Sequence, residues 1–305
     1  MSADLLTALA ASAITMAVPL LFAALGELIA ERSGVLNIGL EGMMLTGAFA
    51  ALAVSLLSGS VALGVGIAVL TGAGLGAVLA WFVVALNANQ VVAGTALNLL
   101  AAGLTGVAYR AVFGVTGAAL TISGAAAAPI PGLAEVPVLG PFFDQNLLGY
   151  AAFLLAPVIG FALWRTLPGL QLRMVGENPY AAETQGVAVR SVRTAALIGC
   201  GALAAAGGAY LSVAYANTFV EGMSAGRGFI ALAIVIVGRR TASGTVLAAL
   251  FFGFATALQF HFQALGLHVP FQFFLVLPYA LTLLVLAGFA GRVGAPAALG
   301  QPYER

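Results

Sequence analysis

Residues 35–57 read VLNIGLEGMMLTGAFAALAVSLL, and the inner block EGMMLTGAFAALA at 41–53 returns without a gap as EGMSAGRGFIALA at 221–233. Glu, Gly, Met, Phe, Ala, Leu and Ala coincide, and a Ser-Gly pair follows each copy, Ser58-Gly59 and Ser243-Gly244. An α-helix needs about 20 mostly apolar residues to cross the hydrocarbon core of a bilayer. Nine stretches qualify: 5–27, 35–57, 61–86, 91–113, 147–167, 194–214, 217–238, 243–262 and 271–290. The expected fold is therefore an all-α polytopic membrane protein of about nine transmembrane helices. Composition agrees, since 62% of the residues are hydrophobic and 7% charged, against about 25% charged in soluble domains.

The distribution of arginine orients these helices, because short cytoplasmic loops collect basic residues. Arg165, Arg173, Arg190 and Arg193 share one loop, and Arg292 and Arg305 lie in the tail. Both regions belong inside. The segment 114–145 holds Pro129, Pro131, Pro137, Pro141, Glu135 and Asp144 without a basic residue, so it belongs outside. Only Arg110 dissents, and its long stem can snorkel to the outer interface. The first span could pass for a secretory signal, but no basic residue precedes it and Glu27, Glu31 and Arg32 follow, so a retained helix is expected. On this topology the Glu41 block starts inside and the Glu221 block outside, as an inverted-topology repeat requires. The halves are 1–113 and 194–291, within a single transmembrane domain, with an extra helix at 147–167 and an internal loop at 168–193. Gly34, Gly39, Gly42 and Gly47 crowd one block, and Gly222, Gly226 and Gly228 the other. Broken helices of this kind are a transporter feature.

Several functions fall away. The basic residues are all Arg, eleven against ten acidic residues, so neither a phosphate-binding Gly-Lys-Ser/Thr loop nor a basic nucleic-acid face is present. Cys200, His261 and His268 lack the neighbours that a zinc site needs, and Cys200 reads as a small packing residue. Ser243 and His261 lie 18 residues apart on one helix, about 27 Å at 1.5 Å per residue, so they cannot act as nucleophile and base. No catalytic or metal residues are expected.

Carboxylates at membrane depth are expensive and normally face a partner or a wet cavity. Glu41 and Glu221 are thus the first candidates for a translocation pathway or gate. Equally, each could accept backbone N–H groups at the start of its half-helix, with Arg227 as ion partner of Glu221. Asn37, Thr95 and Asn98 could line a path or join helices as hydrogen-bonding glue.

In the internal loop GENPYAAETQGVAVRSVR, Asn178 suits an N-cap, Pro179 the first helical position and Gly186 a C-terminal stop. A two-turn helix over 179–185 is expected. Helices this short are marginal in water, so a surface should hold it. Ala181 and Ala182 are small enough to lie in another protein's groove.

GELIAERSGVLNIGLEGMMLTGAFAA, GENPYAAETQGVAV and VEGMSAGRGFIALAIVIVGRR together strongly resemble the inner-membrane permeases of binding-protein-dependent ABC importers, over Gly26 to about Gly291. The branch most similar takes nucleosides and simple sugars, with relatives for ribose and branched-chain amino acids. The resemblance implies that Glu177, Asn178, Pro179, Ala181, Ala182 and Gly186 belong to a segment that couples to a cytoplasmic ATPase. It further implies a paralogous second permease subunit in a heterodimer, an ATPase with two fused nucleotide-binding halves, and an extracytoplasmic solute-binding protein. ATP and Mg would then bind the ATPase, with no cofactor on this chain. The expected place is a bacterial inner membrane, crossed many times, and the expected mechanism ATP-driven alternating access.

Inverted repeats fit a second class equally well, an autonomous carrier driven by protons or sodium with Glu41 or Glu221 as the ion site. Such a carrier has no need of the capped internal helix.

Overall fold

The structure, a computed structural model, describes residues 3–114, 121–264, 276, 280 and 294–304. Helix α1 is Ala3–Arg32, α2 Leu40–Ser58, α3 Val61–Ala80, α4 Gln90–Phe113 and α5 Leu147–Arg165. Then come α6 Leu167–Glu177, α7 Pro179–Thr184, α8 Val189–Tyr210, α9 Arg227–Val237 and α10 Ala242–Ala264. Helices α3 and α8 each run on into one π turn, Trp81–Ala85 and Leu211–Tyr215, and each is followed by an asparagine of positive φ, Asn87 and Asn217. Among the described residues, seven helices are long and apolar enough to cross a membrane. The expected span at 271–290, with His268, Arg292 and Arg305, lies outside the described residues.

The expected span at 217–238 is not one continuous helix. Asn217, Gly222, Ala225 and Gly226 all take positive φ, which interrupts helical winding, and only the eleven residues of α9 are helical. Eleven residues reach about 16 Å, roughly half of the hydrocarbon core. The expected span at 35–57 likewise begins late, at Leu40, after a non-helical run over 33–39. Conversely α1 does not stop near residue 27 but continues to Arg32. Helix α6 was not expected at all; Thr166 caps it by accepting the Gly169 N–H at 3.3 Å, with a proline in its first turn.

Helix α1 is the centre of the molecule. Leu21, Leu25 and Leu28 are fully enclosed, and an apolar helix buried on every side fits that position. It lies antiparallel to α8: Gly26 abuts Cys200, while Gly207 abuts Pro19 and Phe22. Lipid tails are as apolar as leucine, so close backbone approach, not water exclusion, must hold such helices together. Gly72 of α3 and Gly201 of α8 supply that approach, since a methyl group on either would collide with the carbonyl of the other. Outward, α3 and α4 present Leu63, Leu70, Leu99, Leu104 and Val107, an apolar surface suited to lipid.

The described part of the proline-rich segment, 121–146, lies over the end of α8. Ile122 donates to the Asn217 carbonyl at 3.1 Å and Ala125 to that of Val213 at 2.8 Å. With the N-terminal part of α1 it borders a half-open cavity of about 580 Å³ of mixed lining, including Thr7, Ala11, Thr15, Pro137, Asp144 and Gln145.

Candidate functional site

The broken ends of α2 and α9 meet. Gly228 packs on the backbone of Glu41 so closely that a Cβ there would overlap it. The Glu41 carboxylate accepts the Gly226 N–H on Oε1 and the Gly228 N–H on Oε2, both at 2.8 Å. Sequence reasoning allowed Glu41 to cap the start of a half-helix; the helix it caps is the other one. Each helix start carries roughly half a positive charge from its aligned peptide dipoles. Two starts meeting one carboxylate therefore leave about zero net charge at the junction.

Asn98 of α4 fixes the same junction. Its Oδ1 accepts the Gly42 N–H and its Nδ2 donates to the Ile38 carbonyl, both at 2.8 Å. Asn37 is completely buried and sets the entry to α2: its Oδ1 accepts the Gly39 N–H at 2.9 Å, and its own N–H goes to Glu27 Oε1 at 3.1 Å. Asn37 thus holds the broken end and does not face open space, whereas Glu41 and Asn98 are half-buried and Thr95 is exposed.

Glu221 forms its ion pair with Arg110 of α4, at 3.2 Å, with both side chains more than half exposed. The sequence pointed to Arg227 for this partner, but Arg227 turns Nη1 to the Met223 and Ser224 carbonyls at 3.0 and 3.2 Å and closes its own turn. Arg110, the exception in the topology, is satisfied by this pair. Glu41, Asn98, Phe229, Glu221 and Arg110 lie along one partly exposed side where α2, α4 and α9 adjoin.

A second polar cluster was missed. Glu27 and Glu31, one turn apart on α1, are fully buried, and Glu31 Oε2 pairs with Arg240 Nε. Arg32 donates from Nε to the Arg240 carbonyl at 3.0 Å. Cys200 is more than packing, for it accepts from Asn37 Nδ2 at 3.2 Å and directs Sγ toward Glu27 at 3.6 Å. The signal was available in GELIAER, where i and i+4 carboxylates share one face, but ending the span near residue 27 put both in water.

The internal loop folds as its caps predict, one residue shorter. Asn178 Oδ1 accepts the Ala181 N–H at 3.0 Å. At the other end Gly186, φ 81°, donates to the Glu183 carbonyl at 2.8 Å and Val187 to that of Ala182 at 3.1 Å. This is a Schellman ending, which needs a left-handed residue at Gly186. One expectation is corrected: Ala182 is buried among Val175, Val187, Val189 and Tyr303 of its own chain, and Pro179 is also buried. The exposed side of α7 consists of Tyr180, Ala181 and Thr184, continued by Gln185 and Gly186, with Glu177 and Asn178 just ahead of it. On α5, Trp164 carries the guanidinium of Arg173 at 4.3 Å and that of Arg32 at 5.5 Å from its ring.

Comparison with known proteins gives a consistent result. Residues 9–286 match the family described as branched-chain amino acid transport system / permease component. The chain is 36% identical over 310 residues to the guanosine ABC transporter permease protein NupQ of Bacillus subtilis, covering 98% of this chain and 97% of that one. It is 36% identical to the nucleoside ABC transporter permease protein NupC of Lactococcus lactis subsp. cremoris, covering 96% and 95%. The glucose ABC transporter permease protein TsgB13 of Haloferax volcanii is 29% identical, covering 78% of this chain and 66% of that one. No solved structure gives a significant match.

Proposed function

The chain belongs to the family of ABC transporter permease components, transport subunits whose ATP hydrolysis lies on a separate subunit, and on that premise we propose that it imports a nucleoside or a simple sugar by ATP-driven alternating access. The single observation that carries the mechanism is the helix α7, capped at both ends, packed on its own chain through Pro179 and Ala182, and open on the side of Tyr180, Ala181 and Thr184. That side is the contact for a cytoplasmic ATPase with two fused nucleotide-binding halves, on which ATP and Mg would bind.

Glu41, Asn98, Glu221 and Arg227 are assigned to the pathway or its gate, with Asn37 fixing the start of the helix that carries Glu41. Their partly exposed side at α2, α4 and α9 faces a second, paralogous permease subunit, and the path runs between the two. A junction without net charge suits a neutral polar solute, which nucleosides and sugars are. An extracytoplasmic binding protein delivers the solute to the side of 121–146, and the membrane is a bacterial inner membrane. The antiparallel packing of α1 on α8 and the meeting of α2 with α9 support the inverted repeat of 1–113 with 194–291.

The rival reading, an ion-coupled carrier using Glu41 or Glu221, is disfavoured because both oxygens of Glu41 already accept backbone N–H groups and Glu221 is paired with Arg110. The test is uptake of labelled guanosine and glucose into vesicles holding this chain and its partners, with internal ATP or with an ion gradient alone. Uptake that needs ATP and the binding protein is expected; uptake by this chain alone on a gradient would overturn the reading.

A further inference from the structure

Residues 294–304 form an irregular segment, with a turn over 297–300, that bonds to three parts of the chain. The Ala298 N–H donates to the Gly176 carbonyl at 3.0 Å, at the end of α6. Two residues on, the Gly300 N–H donates to the Gly34 carbonyl at 3.0 Å, in the connection between α1 and α2. The Gln301 carbonyl accepts Arg193 Nη1 of α8, also at 3.0 Å. Tyr303 then turns inward, 4% exposed, among Val175, Ala182, Val187 and Val189, with its ring 5.3 Å from that of Tyr180. Both faces of α7 are therefore touched by one side chain: Ala182 underneath and Tyr180 at its outer edge.

What the segment ties to α7 is the run leading into α2. Gly176 packs directly on the backbone of Arg32 and Gly34. Three residues after Gly34, Asn37 holds the start of α2, and Glu41 in the first turn of α2 holds the start of α9. Contacts are continuous from Tyr180 to Gly226. A displacement of α7 by several ångströms cannot leave Gly34 in place while these bonds persist, because packed interiors move as pieces and not as a fluid.

We propose that residues 294–304 act as a transmission strap, with Tyr303 the positioning residue that makes α7, the end of α6 and the Gly34 connection move as one body. This rests on the reading of α7 as the contact for an ATPase, and extends it to how the motion reaches the broken helices. Tyr303 is itself buried and reaches the exposed side of α7 only through the ring of Tyr180, so its effect should fall on coupling more than on assembly.

The experiment uses the complete transporter in vesicles, with guanosine and glucose as probes, and measures ATP hydrolysis beside uptake. Tyr303→Ala should leave the complex assembled and its basal ATP hydrolysis unchanged, while uptake per ATP falls about tenfold. Tyr303→Phe, which retains the buried ring, should restore it. If Tyr303→Ala fails to assemble, Tyr303→Leu keeps most of the apolar volume but loses the ring against Tyr180, and is judged by the same ratio. Unchanged uptake per ATP in the variant that assembles would overturn the strap, and so would loss of assembly in both. Wild-type vesicles that hydrolyse ATP without importing either probe would instead sink the functional reading, and the strap with it.

Discussion

The carboxylate of Glu41 and the amide of Gly228 are 187 residues apart in the chain and 2.8 Å apart in space. The contact joins one Glu-Gly-Met block to its other copy, so the residue in the first turn of α2 also caps the start of α9. A helix start without a partner exposes orphan N–H groups, and lipid offers them nothing. Meeting end to end with a shared carboxylate is how two broken helices remain stable at that depth.

Glu41→Gln keeps the shape but can accept well on one atom only, leaving the Gly226 or Gly228 N–H unpaired. The expected loss is about 1–3 kcal/mol of stability, read as a lower melting temperature in detergent, with uptake falling further than assembly. Equal stability for Glu41→Gln and wild type would show that the charge and second acceptor do not matter.

Ala181→Glu and Ala182→Glu, adjacent in sequence, should behave oppositely. Ala182→Glu forces a carboxylate among Val175, Val187 and Tyr303 and should reduce the yield of folded protein. Ala181→Glu leaves the fold intact and should abolish co-purification with the ATPase. Both are checked by size-exclusion profile and pull-down.

Glu31 and Arg240 form a buried ion pair with side chains 1% and 7% exposed. Arg240→Met or Glu31→Leu alone should each cost about 3–5 kcal/mol, because one charge is left buried without a counter-ion. The double substitution should recover much of that loss. A double-mutant cycle on melting temperature measures it, and additive effects would refute the coupling.

Arg110 and Glu221 pair with side chains 58% and 51% exposed. Either changed to Gln should shift the stability of the isolated chain by no more than about 1 kcal/mol, and less in high salt. Any large effect should be on uptake by the assembled transporter.

Helix existence was largely legible, because hydropathy reports burial in lipid directly: α2, α3, α4, α5, α8 and α10 lie within a few residues of expectation. The caps of α7 were legible too, since Asn178, Pro179 and Gly186 act on their nearest neighbours. What local reasoning could not reach was pairing across the chain. Gly222 and Gly226 mark the break before α9, but their spacing does not show that helix resumes only at Arg227. Hydropathy falls at Glu27 and Glu31, so a buried cluster reads as a wet helix end, and nothing local marks Arg240 as its counter-ion. Likewise Ala182 looks like surface until Tyr303 arrives to cover it.

The pair of Glu31 and Arg240 also imposes an order on manufacture. Glu31 leaves the ribosome 209 residues ahead of its partner, roughly 10–40 s at ordinary synthesis rates. Throughout that interval α1, which ends up enclosed, carries Glu31 without the arginine it pairs with in the finished protein. Burying Glu31 without Arg240 is costly, so α1 gains its most stable seat only once the chain beyond α9 has been made. The first span described is in this sense among the last to be fully stabilised, and a fragment that stops before residue 240 lacks the partner of Glu31.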